Sequence, residues 1–319
     1  MSTFPTPHPP GRTIEGISAV LLPIDDRGQP DLDSFATLAR RTFDAGISPA
    51  INMDTGYANL ISDETRREIL SLTRDLAAGR RFIAGAYVQG KPGDTMEHYR
   101  RQIEEITSFN GIPIVFQSDH VKALDSRGVI DFYREIGRMT PSFIGFELGE
   151  MFVPFGRIYD TDTFRSLLEI PQLTGAKHSS LRRDLEWERL AIRDTERPEF
   201  KVYTGNDLAI DLVMWGSDYL LGLSAFHPEA FALRDRCWAN GNDGFYALND
   251  LLQYLGFFAF RAPVPAYKHT AAQFLHLRGL ITTNHTHPEA PTRPETDLPI
   301  LEELLERLDQ TVEAVGTTL

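Results

Sequence analysis

Hydrophobic positions along this chain switch repeatedly between a short continuous run and a helical spacing. Ile17 to Ile24 is an apolar run ending in the turn Asp25-Asp26-Arg27-Gly28, and Asp31 to Ala45 then places Leu32, Phe35, Leu38 and Phe43 on one helical side before Gly46. The unit recurs. Further strand-like runs are Pro49 to Met53, Phe82 to Val88, Ile112 to Gln117, Phe143 to Gly149, Leu173 to Ser179, Phe200 to Thr204 and Tyr219 to Ala225. Helical patterns follow them at Asp63 to Ala77, Thr95 to Phe109, Arg127 to Arg138, Thr161 to Leu168, Leu181 to Arg193, Leu208 to Trp215 and Pro228 to Ala239.

Eight strands alternating with eight helices require a parallel sheet, because each crossover helix must cover a face of it. The repeat number and length predict a closed (β/α)8 TIM barrel of the α/β class over residues 1–240. Residues 241–319 predict a C-terminal helical appendage, with helices at Phe245 to Phe260, Ala266 to Arg278 and Leu298 to Val315. A Pro- and His-rich connector, Asn284 to Pro294, precedes the last of them.

Against this pattern one residue is out of place. Lys177 interrupts Leu173-Thr174-Gly175-Ala176-Lys177-His178-Ser179-Ser180, which otherwise reads as a buried strand. A buried cation must be paired, neutralised or used, and desolvation favours the neutral amine that attacks carbonyl carbons. Lysines are scarce here: only Lys91, Lys122, Lys177, Lys201 and Lys268 occur among 32 basic residues. The other reading places the ammonium in solvent at a strand end. Lys177 lies near the carboxyl end of the sixth strand, where barrels carry their chemistry.

Composition narrows the partners. A net charge of −13 and a pI near 5.2 argue against nucleic acid and anionic membranes. One cysteine, Cys237, excludes an internal disulfide and a cysteine-rich zinc site. The Pro-rich start lacks the apolar core of a signal peptide, and no stretch reaches the roughly 20 apolar residues of a membrane span, so a cytoplasmic protein is expected. His285-Thr286-His287 and His269 with His276 have no obvious third ligand, so neither a metal nor another cofactor is expected. His178 alternates away from Lys177 and is expected behind the barrel wall.

Five segments stand out: the opening Ile17 to Asp33, Asp54-Thr55-Gly56-Tyr57, Gly175-Ala176-Lys177-His178-Ser179-Ser180, Thr204-Gly205-Asn206-Asp207 and Ala262-Pro263-Val264-Pro265-Ala266-Tyr267-Lys268. In their order and spacing they resemble the dihydrodipicolinate synthase and N-acetylneuraminate lyase superfamily of Schiff-base aldolases. The resemblance implies a lyase, synthase or dehydratase in which Lys177 condenses with pyruvate or another 2-oxo acid. It also implies a homo-oligomer, dimer or tetramer, and substrate contacts from Thr55, Gly56, Gly205, Asn206 and Arg157.

The chain departs from the family where protons move. Counting back from Lys177 puts Gly149 at the position of the family's tyrosine, and aligning Val153-Pro154 puts Met151 there; neither carries a proton. Asp54 replaces the first threonine of the family's loop, and Phe116-Gln117-Ser118-Asp119-His120 has no tyrosine. Glu147, taken as inward-facing, and Asp54 are therefore the candidate replacements. The competing reading is a non-catalytic barrel that binds a small acid.

Overall fold

The computed structural model describes residues 5–317. Its eight strands are β1 (Gly16–Ala19), β2 (Ser48–Ile51), β3 (Ile83–Ala86), β4 (Ile112–Val115), β5 (Phe143–Leu148), β6 (Leu173–Ser179), β7 (Lys201–Thr204) and β8 (Asp218–Leu221). All pair in parallel with their neighbours, and β8 returns to β1 to close the barrel. Eleven α-helices surround or extend it among the described residues: α1 (Leu32–Asp44), α2 (Asp63–Ala77), α3 (Thr95–Ser108), α4 (Asp119–Ala123), α5 (Ser126–Met139), α6 (Thr161–Leu168), α7 (Arg183–Glu196), α8 (Pro228–Asn240), α9 (Gly244–Ala259), α10 (Tyr267–Leu277) and α11 (Leu298–Gly316).

The helices begin where the sequence supplies caps. The side chains of Asp31, Ser62, Asp94, Asp125 and Asp160 each accept a backbone N–H from the first turn of the following helix. Such caps satisfy donors that have no partner inside the helix. Strand alternation divides the apolar residues into two layers. Ile17, Ala50, Ile83, Ile114, Ile144 and Leu220 fill the barrel interior, whereas Ile51, Ala84, Val115, Leu173 and Leu221 pack outward against the helices.

Three predicted elements differ most, the first being the run Ile17 to Ile24, which is a strand only over Gly16–Ala19. The helix expected over Leu208 to Trp215 is a 3₁₀ segment, Ile210–Trp215, ended by Gly216 at φ 103. Left-handed backbone at a glycine stops such a turn before it can lengthen. The strand expected to continue to Ala225 stops at Leu221, and a 3₁₀ turn, Leu223–Ala225, follows. Asp207 Oδ1 accepts the Leu223 N–H at 2.8 Å, diverting that backbone from the sheet.

After the barrel, α9 packs on α8 and α11. The connector before α11 holds the turn that leads into α10. Arg293 donates to the carbonyls of Ala259, Ala262, Arg261 and Pro263 at 2.6–3.2 Å. This gathers four carbonyl acceptors on one guanidinium and aims the start of α10 at the open end of the barrel.

Candidate active site

Lys177 projects into the barrel, between Phe146 of β5 and Tyr203 of β7 in strand register. Its amine lies 4.6 Å from the Phe146 ring centroid and makes no hydrogen bond or ion pair to any described residue. Desolvation lowers its pKa, opposed by the charges of Asp207 and Asp54. Gly205 makes the space for this side chain: a Cβ there would lie 2.6 Å from Lys177 Cε and 2.1 Å from Ser179 Oγ.

Asp54 stands at the end of β2 in a 3₁₀ turn, Asp54–Gly56. Both carboxylate oxygens accept from Lys268 Nζ at 3.0 Å, and Oδ2 also accepts the Tyr267 hydroxyl at 2.9 Å. Tyr267 OH lies 2.8 Å from Thr55 Oγ1 and its ring stacks on Phe260 at 4.3 Å. Burial pushes the Asp54 carboxyl up, but the Lys268 charge and the hydrogen bonds outweigh it and leave the pKa lowered. Asp54 lies deep in the barrel mouth yet faces the cavity, so 58% of its side chain is accessible. The Tyr267 hydroxyl is held well above its ordinary pKa, first by burial and then by the Asp54 charge.

Asp207 follows β7 and faces the same space. Desolvation raises its pKa to about 6, against the Leu223 backbone hydrogen bond and the Lys177 charge. A carboxyl that titrates there can take up or release a proton near neutral pH.

These groups line one cavity of 410 Å³. Of the residues selected from sequence, Lys177, Asp54, Thr55 and Gly205 lie on its wall. Glu147, Gly56, Arg157 and Asn206 do not line it, and each is engaged elsewhere. Glu147, expected to face inward, points through the opposite side of β5. It receives Arg189 at 2.8 and 3.1 Å, His178 Nδ1 at 3.0 Å and the Tyr159 N–H at 3.0 Å. Burial raises the Glu147 pKa, but Arg189 and His178 reverse that and bring it to about 2. A carboxyl held there carries no proton at neutral pH.

Arg157 turns its guanidinium to the Leu124 carbonyl and the Tyr159 ring. Asn206 accepts the Leu208 N–H at 3.1 Å, a turn contact. Gly56 is held by its N–H to the Met53 carbonyl at 3.0 Å. The last inward residue of β5 is Leu148, because Gly149 donates its N–H to the Ser179 carbonyl at 2.9 Å and begins the next turn. Neither Gly149 nor Met151 continues the inward row of that strand.

Tyr267 and Lys268 escaped selection, although the segment Ala262 to Lys268 was itself conspicuous. The available signal was a phenol and an ammonium side by side at a helix start, directly after a Pro-Val-Pro turn. Asp207, within the segment Thr204-Gly205-Asn206-Asp207, carries no sequence signal that marks it as an acid or base. Among the described residues, no group of three or more histidine, cysteine, aspartate or glutamate side chains is placed to hold a metal ion. None of their helices is long and apolar enough to cross a membrane.

The open end of the closed barrel thus brings a desolvated interior lysine together with convergent acid groups. No family model matches the chain. A 4-hydroxy-tetrahydrodipicolinate synthase of Kosmotoga olearia is 24% identical over 213 residues, covering 65% of this chain and 68% of that relative. The dihydrodipicolinate synthase of Thermotoga maritima has a TM-score of 0.80 at 19% identity, covering 93% of this chain and 99% of its own. A prophage protein of the dihydrodipicolinic acid synthase family from E. coli K12, solved with pyruvate, has a TM-score of 0.80 at 15% identity, covering 93% and 98%. The solved structures share the fold. With the curated sequence match, they support assignment of the chain to the dihydrodipicolinate synthase and N-acetylneuraminate lyase superfamily.

Proposed function

We propose that this protein is a Schiff-base-forming lyase in which the Lys177 amine condenses with pyruvate or a related 2-oxo acid. The observation that carries the reading is an interior amine with no hydrogen-bond or ionic partner among the described residues, its pKa lowered by desolvation, on the wall of a cavity of small-molecule size. The sequence and fold likeness to that superfamily supports it, as does the pyruvate complex of one structural relative.

The neutral amine attacks the 2-oxo carbon, and the carbonyl oxygen leaves as water after taking up two protons. The resulting iminium withdraws electrons from the neighbouring carbon, which releases a proton to give an enamine, or undergoes C–C cleavage in reverse. Tyr267, neutral at any physiological pH, is assigned the donor role toward the departing oxygen. Asp207, ionised above about pH 6, is assigned the acceptor role toward the carbon-bound proton. Asp54 is assigned to anchor Tyr267, with Lys268 balancing its charge, so that Thr55 and the Lys268 ammonium can face an incoming carboxylate. This arrangement removes the repulsion a lone Asp54 would exert on that carboxylate. No metal or organic cofactor enters the sequence of steps.

Reduction with borohydride in the presence of pyruvate, read by mass spectrometry, tests the assignment. A pyruvate-derived adduct on Lys177, absent from Lys177→Ala, is the expected result, and an unmodified Lys177 across a panel of 2-oxo acids would refute it. The hydrocarbon end of the inward β5 row, Leu148, favours a second reading, a barrel that binds a small acid without chemistry. Saturable pyruvate binding of unchanged affinity in Lys177→Ala is its mark. We extend the first reading to a cytoplasmic homo-oligomer. The acidic charge supports the location, and half-exposed Tyr246, Tyr254 and Phe257 on α9 support the assembly. Light scattering of the purified chain tests the assembly.

A further inference from the structure

The cavity has two unlike halves. Asp54, Thr55, Asp207, Tyr267 and Lys268 occupy one side, and Tyr87, Phe116, Phe146, Leu148, Phe152 and Phe155 the other. The aromatic half is a connected edge-to-face array. Phe116 meets Phe146 at 5.1 Å between centroids and Tyr87 at 5.5 Å, and Tyr87 meets Phe155 at 6.3 Å. Met151, 56% exposed, continues this apolar wall to the rim. An open wall of ring edges and faces suits a flat apolar group, which gains both burial and ring contacts there.

Charge excludes the alternative occupant. No arginine lines the cavity among the described residues. Arg157 is spent on the Leu124 carbonyl, and Arg66 packs against the Tyr87 ring at 5.6 Å with its guanidinium donating to the Ala58 carbonyl. Lys268 is paired with Asp54 and Lys177 is consumed in the imine. A second carboxylate reaching the aromatic half would be desolvated with nothing to pair it, a costly burial.

We propose that the carbonyl partner of the lysine-bound three-carbon unit is an uncharged aryl aldehyde, seated against Phe116, Phe152, Phe155 and Tyr87. The proposal rests on the Schiff-base reading above. In the synthetic direction the enamine carbon bonds to the aldehyde carbon, the aldehyde oxygen takes a proton, and water hydrolyses the iminium. The product is a 4-aryl-4-hydroxy-2-oxo acid and the amine is regenerated. Pyruvate and aldehyde account for every atom of the product, and the reverse reaction cleaves the same bond.

The test uses the full chain with pyruvate and either benzaldehyde or the anionic succinic semialdehyde, products being followed by NMR, with borohydride trapping run on the same preparation. The expected result is a kcat/KM at least tenfold higher for benzaldehyde. Phe152→Ala should lower it by about tenfold, the scale of one aromatic contact, while leaving pyruvate trapping on Lys177 unchanged. Equal or better turnover of succinic semialdehyde, or an unaltered benzaldehyde kcat/KM in Phe152→Ala, overturns the proposal. Trapping without turnover of benzaldehyde overturns it while sparing the Schiff-base reading. Absence of trapping overturns that reading, and the aldehyde assignment with it.

Discussion

The backbone of Gly205 and the side chain of Lys177 compete for one volume: a Cβ on Gly205 would stand 2.6 Å from Lys177 Cε and 3.1 Å from its Cγ. Ser179 Oγ, at 2.1 Å from the same point, blocks sideways escape. Gly205→Ala is therefore expected to leave the barrel folded while turning the amine away from its cavity position. A displacement of about 1 Å costs on the order of a hundredfold in such reactions. Borohydride trapping should fall by that factor, with the circular dichroism spectrum and melting temperature near those of the wild type. Undiminished trapping would show that the lysine has more freedom than this contact allows.

The fold was legible because all eight strands, and every barrel helix but the 3₁₀ segment Ile210–Trp215, followed their own periodicity. The β6 range, Leu173 to Ser179, was legible to the residue, and Lys177 stood out as the one cation in an apolar run. Glu147 was misplaced for a reason that sequence does not display. The β5–β6 register shifts by one residue between Phe143 and Ile144, which sets Phe146, not Glu147, beside Lys177. A one-residue shift exchanges the two faces of a strand. Tyr267 and Lys268 depend on how the C-terminal helices dock across the barrel mouth. That is a tertiary fact, fixed partly by Arg293 gathering distant carbonyls, and no local pattern announces it.

Glu147 and Arg189 form a buried ion pair with His178 hydrogen-bonded to it, the Glu147 and Arg189 side chains being 2% and 1% exposed. Glu147→Ala strands two buried partners and is expected to cost about 3–5 kcal/mol in denaturant unfolding. The Glu147 pKa is depressed in the fold, so its stabilisation is full above about pH 4.5 and is lost as pH falls toward about 2. Glu147→Gln should accordingly lack this part of the acid transition. It should also retain Lys177 trapping, whereas a catalytic Glu147 would lose it.

Tyr267 is assigned to the proton transfer that completes imine formation, so its loss slows that step without removing the amine. Tyr267→Phe keeps the ring stacked on Phe260 and removes the hydroxyl that bonds Asp54 and Thr55. The expected outcome is a kcat lower by about 10²–10⁴, the usual contribution of a positioned acid or base. Because the amine is untouched, a pyruvate adduct should still accumulate on Lys177 during long borohydride trapping. Wild-type turnover in Tyr267→Phe would remove this tyrosine from the proton path and leave Asp207 to serve both steps.

Asp207 ties activity to a stability cost with a definite sign. Its folded pKa, about 6, lies above the ordinary 3.8, so the folded state binds the proton more tightly than the unfolded one. Stability from this group is therefore greatest below about pH 4 and declines as pH rises through 6, where the buried side chain becomes charged. Activity runs the opposite way, since a proton acceptor must be ionised, and kcat/KM should rise with a midpoint near pH 6. Asp207→Asn can keep the 2.8 Å bond from the Leu223 N–H through its amide oxygen, so the turn after β8 should persist. The variant should lose about 10²–10⁴ in kcat together with the ascending limb. It should also melt above the wild type at pH 8 and level with it near pH 4. A melting difference of the opposite sign at pH 8 would mean that the Asp207 charge stabilises the fold through Lys177 more than its burial opposes it.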